Sequence, residues 1–297
     1  MNHQRTRDDV STGDYTWGFL LLCLAALWVP ANAVSADDFM ESGEISAVAG
    51  GTLLVFGIGE VIADFDSTRP SLAGGPLPGE ESFQRWLGGT PTSEPGNFLN
   101  GDFGYAITPV VAGISLIGAG AGWPRQEGNA DQEVIQDMFL FTAGLAATRG
   151  ITALCKGLFA RPRPLLTLAP EVADRRMDYE YAYDHSSFFS GHTSSAFFAC
   201  AFLNLRARSI MRSEMSADEY RRWRWAPPTL LFGWSSFVGM SRVEAYKHYL
   251  SDIVAGAVVG TLLAELFFNF AANPVQRMVI LESGTGTPLL LRVGYRF

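Results

Sequence analysis

Long apolar stretches with helical spacing and few charges make up most of this sequence, so the chain must pack helix against helix. Residues 104–123 carry no charge at all, and the pattern over 131–159 stops at 161–164, where two prolines prevent a helix from continuing. Similar patterns predict further helices over 45–63, 191–212, 228–240 and 248–270. We therefore predict an all-α helical bundle.

The segments on either side of the bundle have a different character. Residues 1–36 contain an apolar run, 17–29, followed by small residues, which is typical of a cleavable export signal or an N-terminal anchor. Residues 37–103 combine one helix with a Gly- and Pro-rich connection, and 272–297 predict a β-hairpin. The core of the bundle is therefore assigned to 104–271.

Charge and hydropathy narrow the classes of partner. The formal net charge of -8 argues against nucleic acid, which requires a basic surface, but a few arginines bind a small anion whatever the total charge. A compact bundle with a buried core and a membrane-embedded bundle are both open, and some membrane contact is favoured. Cys155 and Cys200 lie in apolar helical patterns, where free buried cysteine is common.

A first polar cluster, Lys156 with Arg163-Pro164, lies where the 131–159 helix ends. Lysine is a mobile point charge, and arginine presents a planar fork that matches phosphate oxygens. Cations are also common at helix C-termini because the helix dipole stabilises them there. The cluster predicts a basic clamp for an anion, to which Arg161 is not assigned.

A second cluster, Ser190-Gly191-His192, opens the next helix. Serine is a good N-cap, glycine lets a ligand approach the backbone closely, and the N–H groups of a first turn bind anions. His192, with the ordinary histidine pKa of about 6.5, would act there as a proton donor. Plain capping beside a structural histidine is the competing interpretation.

A third cluster combines Ser241-Arg242 with His248 and Asp252. In a helix that starts at His248, the i, i+4 spacing would place His248 and Asp252 on one face. The carboxylate would then fix the imidazole tautomer and leave the other ring nitrogen free to attack. Glu244, four residues before His248, is an alternative orienting carboxylate. Arg242 would complete the anion clamp, although an ion-pair cluster at a helix start also explains these residues.

In their order and spacing, the three clusters resemble the three-part signature of the type 2 phosphatidic acid phosphatases. That superfamily also holds bacterial acid phosphatases and vanadium haloperoxidases. The resemblance covers roughly residues 104–271 and implies a bundle of the phosphatidic acid phosphatase/haloperoxidase-like type, here with a small C-terminal β-hairpin. One position departs from the pattern: Phe189 stands where the family usually has proline, which stiffens the entry to the helix and bears on substrate fit.

The resemblance also implies a reaction and its residues. His248 would attack phosphorus and form a phosphohistidine, Asp252 would orient it, and His192 would protonate the leaving oxygen. The phosphate oxygens would be bound by Lys156, Arg163, Ser190, Gly191 and Arg242. No metal or cofactor is implied for the phosphatases of this family.

The implied substrate is a lipid phosphate or diphosphate at the periplasmic side of a bacterial membrane. The protein would be exported and membrane-associated, with no nucleic-acid partner. Three alternatives stay open. One is a soluble periplasmic acid phosphatase that acts on small phosphomonoesters, and another is a vanadium-dependent haloperoxidase, in which the same pocket would hold vanadate. The third is a non-catalytic envelope protein with a relic pocket.

Overall fold

The computed structural model describes residues 42–63, 75–89, 91, 102–122, 130–173 and 185–272 of the 297-residue chain. The predicted export signal and the predicted C-terminal hairpin lie outside these residues. Within the described ranges there is no β-strand, which confirms the all-α prediction for them. The helices are α1 Ser42–Ala63, α2 Glu80–Leu87, α3 Asp102–Gly122, α4 Ala130–Phe159, α5 Pro164–Leu168, α6 Pro170–Ala173, α7 Gly191–Glu214, α8 Ala217–Trp223, α9 Ala226–Glu244 and α10 Leu250–Ala272.

The core of the bundle forms where the apolar faces of α4, α7 and α10 meet, with α3 against α4 and α7. The largest side chains in it are the buried aromatic rings of Phe139, Phe141, Phe198, Phe202 and Phe267. Phe141 and Phe202 pack edge to face with 5.5 Å between their ring centroids, a favoured aromatic geometry. α1 packs along α4, and α9 packs along α7. Cys155 and Cys200, on α4 and α7, are free thiols.

Glycines let α10 approach α7 closely. A Cβ on Gly256 would lie 2.7 Å from the Ser190 carbonyl oxygen, and one on Gly260 would lie 2.2 Å from the Ser194 carbonyl oxygen. Side chains cannot be accommodated at such distances, so this helix crossing depends on glycine. As a result, the first turn of α10, which contains Asp252, lies against the first turn of α7.

The start of α10 differs from the prediction. The helix begins at Leu250 rather than at His248, and the Asp252 carboxylate accepts a hydrogen bond from the Tyr249 N–H at 2.9 Å. This contact is half of a capping box, in which a side chain of the first turn reaches back to the N-cap backbone. His248 therefore lies in the turn between α9 and α10, where Tyr246 has a φ of 60°.

The segment between α4 and α7 is partly helical. Its described part contains α5 and α6, which begin at Pro164 and Pro170. Proline is well tolerated in a first helical turn because its missing N–H has no intrahelical partner there. The two short helices carry the chain from the end of α4 across the end of the bundle.

Two helical segments, Val134–Phe159 and Leu250–Asn269, are long and apolar enough to cross a membrane, judged by length and composition. The first is a core helix for most of its length, with 67% of its most apolar window buried. In the second only 33% of that window is buried, so the helix presents an apolar face outward. The exposed face is formed by Val254, Val258, Leu262 and Leu266.

Candidate active site

The predicted site residues meet at one end of the bundle, where α4 and α9 end and α7 and α10 begin. The Ser190 N–H donates a hydrogen bond to the Asp252 carbonyl oxygen at 3.1 Å. The His248 N–H donates to the Arg242 carbonyl oxygen at 3.3 Å. The first contact joins the second sequence cluster to the third. The second contact closes the turn that carries His248.

Gly191 allows Lys156 to lie beside the start of α7. Lys156 is in the last turn of α4, and its Nζ is 4.0 Å from the position that a Cβ would take on Gly191. That Cβ would also lie 3.1 Å from the Cγ2 of Thr152, so glycine keeps this space open. The ammonium group is therefore next to first-turn N–H groups, which have no intrahelical acceptor and bind anions.

Ser190 is the N-cap of α7, as predicted. Its Oγ accepts hydrogen bonds from the Thr193 N–H at 3.4 Å and from the Thr193 Oγ1 at 3.0 Å. The cap forms with buried Phe189 before it in place of proline. Because the Ser190 N–H already donates to Asp252, an anion at this turn would take its backbone donors from Gly191 onward.

The backbone of Ser187 holds His248 in one tautomer. The His248 Nδ1 lies 2.7 Å from the Ser187 carbonyl oxygen, which can only accept, so Nδ1 carries the proton. Nε2 therefore keeps its lone pair, as a nucleophile requires. The expectation that Asp252 bonds to the imidazole is corrected, since its Oδ2 is 3.8 Å from Nδ1, beyond hydrogen-bond distance.

Asp252 reaches His248 through Ser187. Its buried carboxylate accepts from the Ser187 hydroxyl at 2.5 Å and from the Tyr249 N–H at 2.9 Å on Oδ2, and from the Arg161 Nη1 on Oδ1. The Ser187 N–H donates to the Arg161 carbonyl oxygen at 3.0 Å. All three polar groups of Ser187 are thus bonded, which fixes the carbonyl that orients His248.

The surroundings keep His248 uncharged. Burial, followed by the positive charges of Arg163 and Lys156, outweighs the opposing effect of Asp252 and lowers the pKa of His248 from 6.5 to about 3. The neutral imidazole is the nucleophilic form, so His248 is in its reactive state at neutral pH. Arg163 and Lys156, two cations of the predicted clamp, are therefore close enough to the imidazole to lower its pKa.

This pKa predicts how stability depends on pH. As pH falls below 6.5, the unfolded chain protonates His248 while the folded chain, with a pKa of about 3, does not. The free energy of unfolding should therefore fall between pH 7 and pH 5, with a slope from this group that approaches about 1.4 kcal/mol per pH unit. Chemical denaturation across this range should show a shallower slope for His248→Asn, and equal slopes would contradict the shift.

The remaining predicted residues complete the cationic side of the site. Arg163 is the N-cap of α5, and its Nη2 donates to the Ser186 Oγ at 3.1 Å. Arg242 lies in the last turn of α9 and is 4% exposed. His192 lies in the first turn of α7 and is half-buried. A buried arginine such as Arg242 requires polar partners, and the end of the bundle where the clusters meet is rich in polar groups.

Three residues of the network escaped the sequence patterns: Arg161, Ser187 and Glu80. Arg161 is 3% exposed and pairs with both Asp252 and Glu80. The repeat Arg161-Pro162-Arg163-Pro164 contains two arginines, and nothing local distinguishes the one that faces inward. Ser187 acts through its backbone carbonyl, which has no sequence signal, and Glu80 lies 81 residues before its arginine partner.

The region that carries these residues is similar to a known protein family. Residues 137–275 match the family model described as the PAP2 superfamily. The chain is 29% identical to phospholipid phosphatase 1 of Mus musculus over 153 residues, which is 46% of this chain and 51% of the relative. It is 30% identical to phospholipid phosphatase 2 of Homo sapiens over 149 residues, 43% of this chain and 48% of the relative.

A plant relative covers a shorter region. Lipid phosphate phosphatase 1 of Arabidopsis thaliana is 35% identical over 91 residues, 30% of this chain and 27% of the relative. The chain thus spans about half the length, or less, of these curated relatives. No solved structure gives a significant match. The family segment contains every residue of the three clusters, and this segment, 139 of the 297 residues, belongs to the PAP2 superfamily, which includes the type 2 phosphatidic acid phosphatases.

Proposed function

We propose that the protein is a phosphatase that acts on a lipid phosphate or diphosphate through a phosphohistidine on His248, without a metal. The observation that carries this proposal is a neutral His248 whose Nδ1 proton is bonded to the Ser187 carbonyl, close to Lys156 and Arg163. A fixed lone pair beside cations suits in-line attack on phosphorus, where catalysis depends on positioning and charge stabilisation.

The reaction would proceed in two steps. In the first, the His248 Nε2 forms a bond to phosphorus while the bond to the ester oxygen breaks, and His192 gives a proton to the leaving oxygen. In the second, water attacks phosphorus, neutral His192 takes a proton from the water, and the N–P bond breaks. Phosphate leaves, and both histidines return to their starting states.

The clamp would bind the non-bridging phosphate oxygens. Lys156, Arg163 and Arg242 supply positive charge, and the first-turn amides that begin at Gly191 supply hydrogen bonds, with Ser190 as the cap of that turn. These groups would stabilise the charge of the transition state beside the buried side chains of Arg242 and His248. They would supply the charge that a metal ion supplies in many other phosphoryl-transfer enzymes, which is the reason for proposing metal independence.

Two observations support a lipid substrate. The relatives are named phospholipid phosphatases and lipid phosphate phosphatases. In addition, apolar side chains lie on the outward faces of several described helices, as a protein in contact with acyl chains requires. On α3 these are Val110, Val111, Ile114 and Ile117.

We also propose that the protein is an exported, membrane-associated bacterial envelope protein with its site on the periplasmic side. Ser190 and Glu214 stand at opposite ends of the 24-residue α7, about 36 Å apart at 1.5 Å per residue. The end remote from the site carries four exposed arginines, Arg212, Arg221, Arg222 and Arg224, whereas the cations assigned to the site are buried or half-buried. Arginines favour the cytoplasmic side of a membrane, which would leave the site on the other side.

A paired assay tests the substrate class. The purified chain should release phosphate from phosphatidate in mixed micelles with a kcat/KM at least about tenfold above that for p-nitrophenyl phosphate, because the acyl chains add apolar binding. The activity should survive EDTA, and the protein should sediment with membranes. Activity confined to soluble esters, with the protein in the soluble fraction, would overturn the lipid assignment, and loss of activity in EDTA would overturn the metal-independent mechanism.

A further inference from the structure

We propose that Glu80, on α2, is a positioning residue for the reaction at His248. This inference rests on the proposed function, because it concerns how the nucleophile of that reaction is held. Glu80 precedes the family segment 137–275, so the family match assigns it no role. A series of hydrogen bonds joins its carboxylate to the imidazole.

Both carboxylate oxygens of Glu80 are bonded, and the side chain is buried. Oε2 accepts from the Arg161 Nη2 and from the Leu77 N–H, each at 2.6 Å, and Oε1 accepts from the Ser251 N–H at 2.9 Å. Ser251 is the second residue of α10, so its N–H has no acceptor within its own helix. Glu80 therefore caps α10 from a distant part of the chain.

Arg161 links Glu80 to the catalytic turn. Its guanidinium lies between two carboxylates, with Nη2 on Glu80 and Nη1 on Asp252. Asp252 accepts from the hydroxyl of Ser187, and the carbonyl of Ser187 accepts from the Nδ1 of His248. Four direct contacts, each a hydrogen bond between buried groups, thus connect Glu80 to the imidazole.

α2 also contacts the end of α9, which precedes the turn that carries His248. Gln84, 1% exposed, donates its side-chain amide to the carbonyl oxygen of Val243, at the end of α9. A Cβ on Gly89 would lie 2.0 Å from the Glu244 carbonyl oxygen, so the two backbones are in close contact there. α2 therefore holds the end of α9 through Gln84 and the start of α10 through Glu80, and His248 lies between them.

Replacing the Glu80 carboxylate by an amide should displace this network without removing it. Arg161 and the Ser251 N–H are both donors, and a glutamine has only one oxygen, so one of them would face an N–H group. Lys156 on α4 and Gly191 on α7 lie outside these four contacts and should keep their places. A small displacement of the nucleophile lowers the rate of attack far more than it lowers substrate binding.

The first test compares Glu80→Gln with Glu81→Gln in the full-length enzyme, using phosphatidate in mixed micelles. Glu80→Gln should lower kcat by about 10- to 100-fold while KM stays within about threefold, the size of effect seen when outer-shell partners of a catalytic group are lost. Glu81 is the matched control, since it lies on the same helix, forms a 3.9 Å ion pair with Arg85 and is not a member of the four contacts. Its variant should keep wild-type kcat.

A second test asks whether Glu80 acts through the proposed contacts. Ser187→Ala removes the hydroxyl that bonds Asp252, and the double variant with Glu80→Gln should lose less kcat than the product of the two single losses. Losses that multiply would mean independent effects and would overturn the proposal. A Glu80→Gln enzyme as fast as the Glu81→Gln control would overturn it as well.

If the glutamine variant does not fold, Glu80→Asp provides the same test, because it keeps the charge but shortens the reach. Its kcat should fall by about 3- to 10-fold at unchanged KM, and wild-type kcat would refute the proposal. The failure of the proposed function would look different, since wild-type enzyme would then release no phosphate. Normal wild-type activity combined with normal activity of the Glu80 variants would refute this inference alone.

Discussion

Replacing His248 with alanine should reduce phosphate release by about 10⁴-fold or more, because the variant loses the proposed nucleophile and retains only the proposed clamp and water. Substrate binding should change little, since Lys156 and Arg163 stay in place. The measurements are kcat and KM for phosphatidate, together with protein-bound phosphate after rapid quenching at alkaline pH. Bound phosphate should be detected in the wild-type enzyme and not in the variant.

The control for this experiment is His185→Ala. His185 is half-buried on the segment before α7, outside the assigned machinery, and its variant should keep activity near the wild-type value. Thermal melting in the same detergent separates loss of catalysis from loss of fold. A His248→Ala enzyme with full activity would remove the basis of the proposed mechanism.

Arg161→Met should produce the largest loss of stability. Arg161 is 3% exposed and is paired with Glu80 and Asp252, which are 9% and 0% exposed. Without the guanidinium, two buried carboxylates lose their counter-charge, and the free energy of unfolding should fall by about 3–5 kcal/mol. Chemical denaturation in detergent micelles measures this difference.

Arg149→Met is the matched control for that loss. Arg149 and Glu60 form a 3.1 Å ion pair between α4 and α1, with side chains 41% and 31% exposed. Solvent screens such a pair, so its removal should cost no more than about 1 kcal/mol. A similar small cost for Arg161→Met would contradict the assigned role of the buried network.

The positions of the helices and the polar residues at their ends could be predicted, because both follow from residue type and local spacing. Apolar spacing and prolines mark where each helix runs, and the structure shifts most of the predicted ends by only a few residues. Lys156, Gly191 and His248 stand at or next to helix ends, and the packing of α4, α7 and α10 brings those ends together. Three clusters that are separate in the sequence therefore come together at one end of the bundle.

The hydrogen bonds that orient His248 could not be predicted, because the groups that form them are distant in the chain. The i, i+4 spacing suggested a direct bond between His248 and Asp252, but α10 starts two residues later and Ser187 lies between their polar groups. Glu80 meets Arg161 only after α2 docks against the end of α9. No periodic pattern carries information about such contacts.

The sequence by itself determined which chemical groups are available and at which helix ends they stand, since both depend on residue type and local spacing. Only the tertiary structure decided the state of those groups. The tautomer of His248 depends on a carbonyl 61 residues away, and its charge depends on burial and on cations at the end of α4 and just before α5. Hydrogen-bond partners and loss of solvent are properties of the assembled fold, so they appear only once the helices have packed.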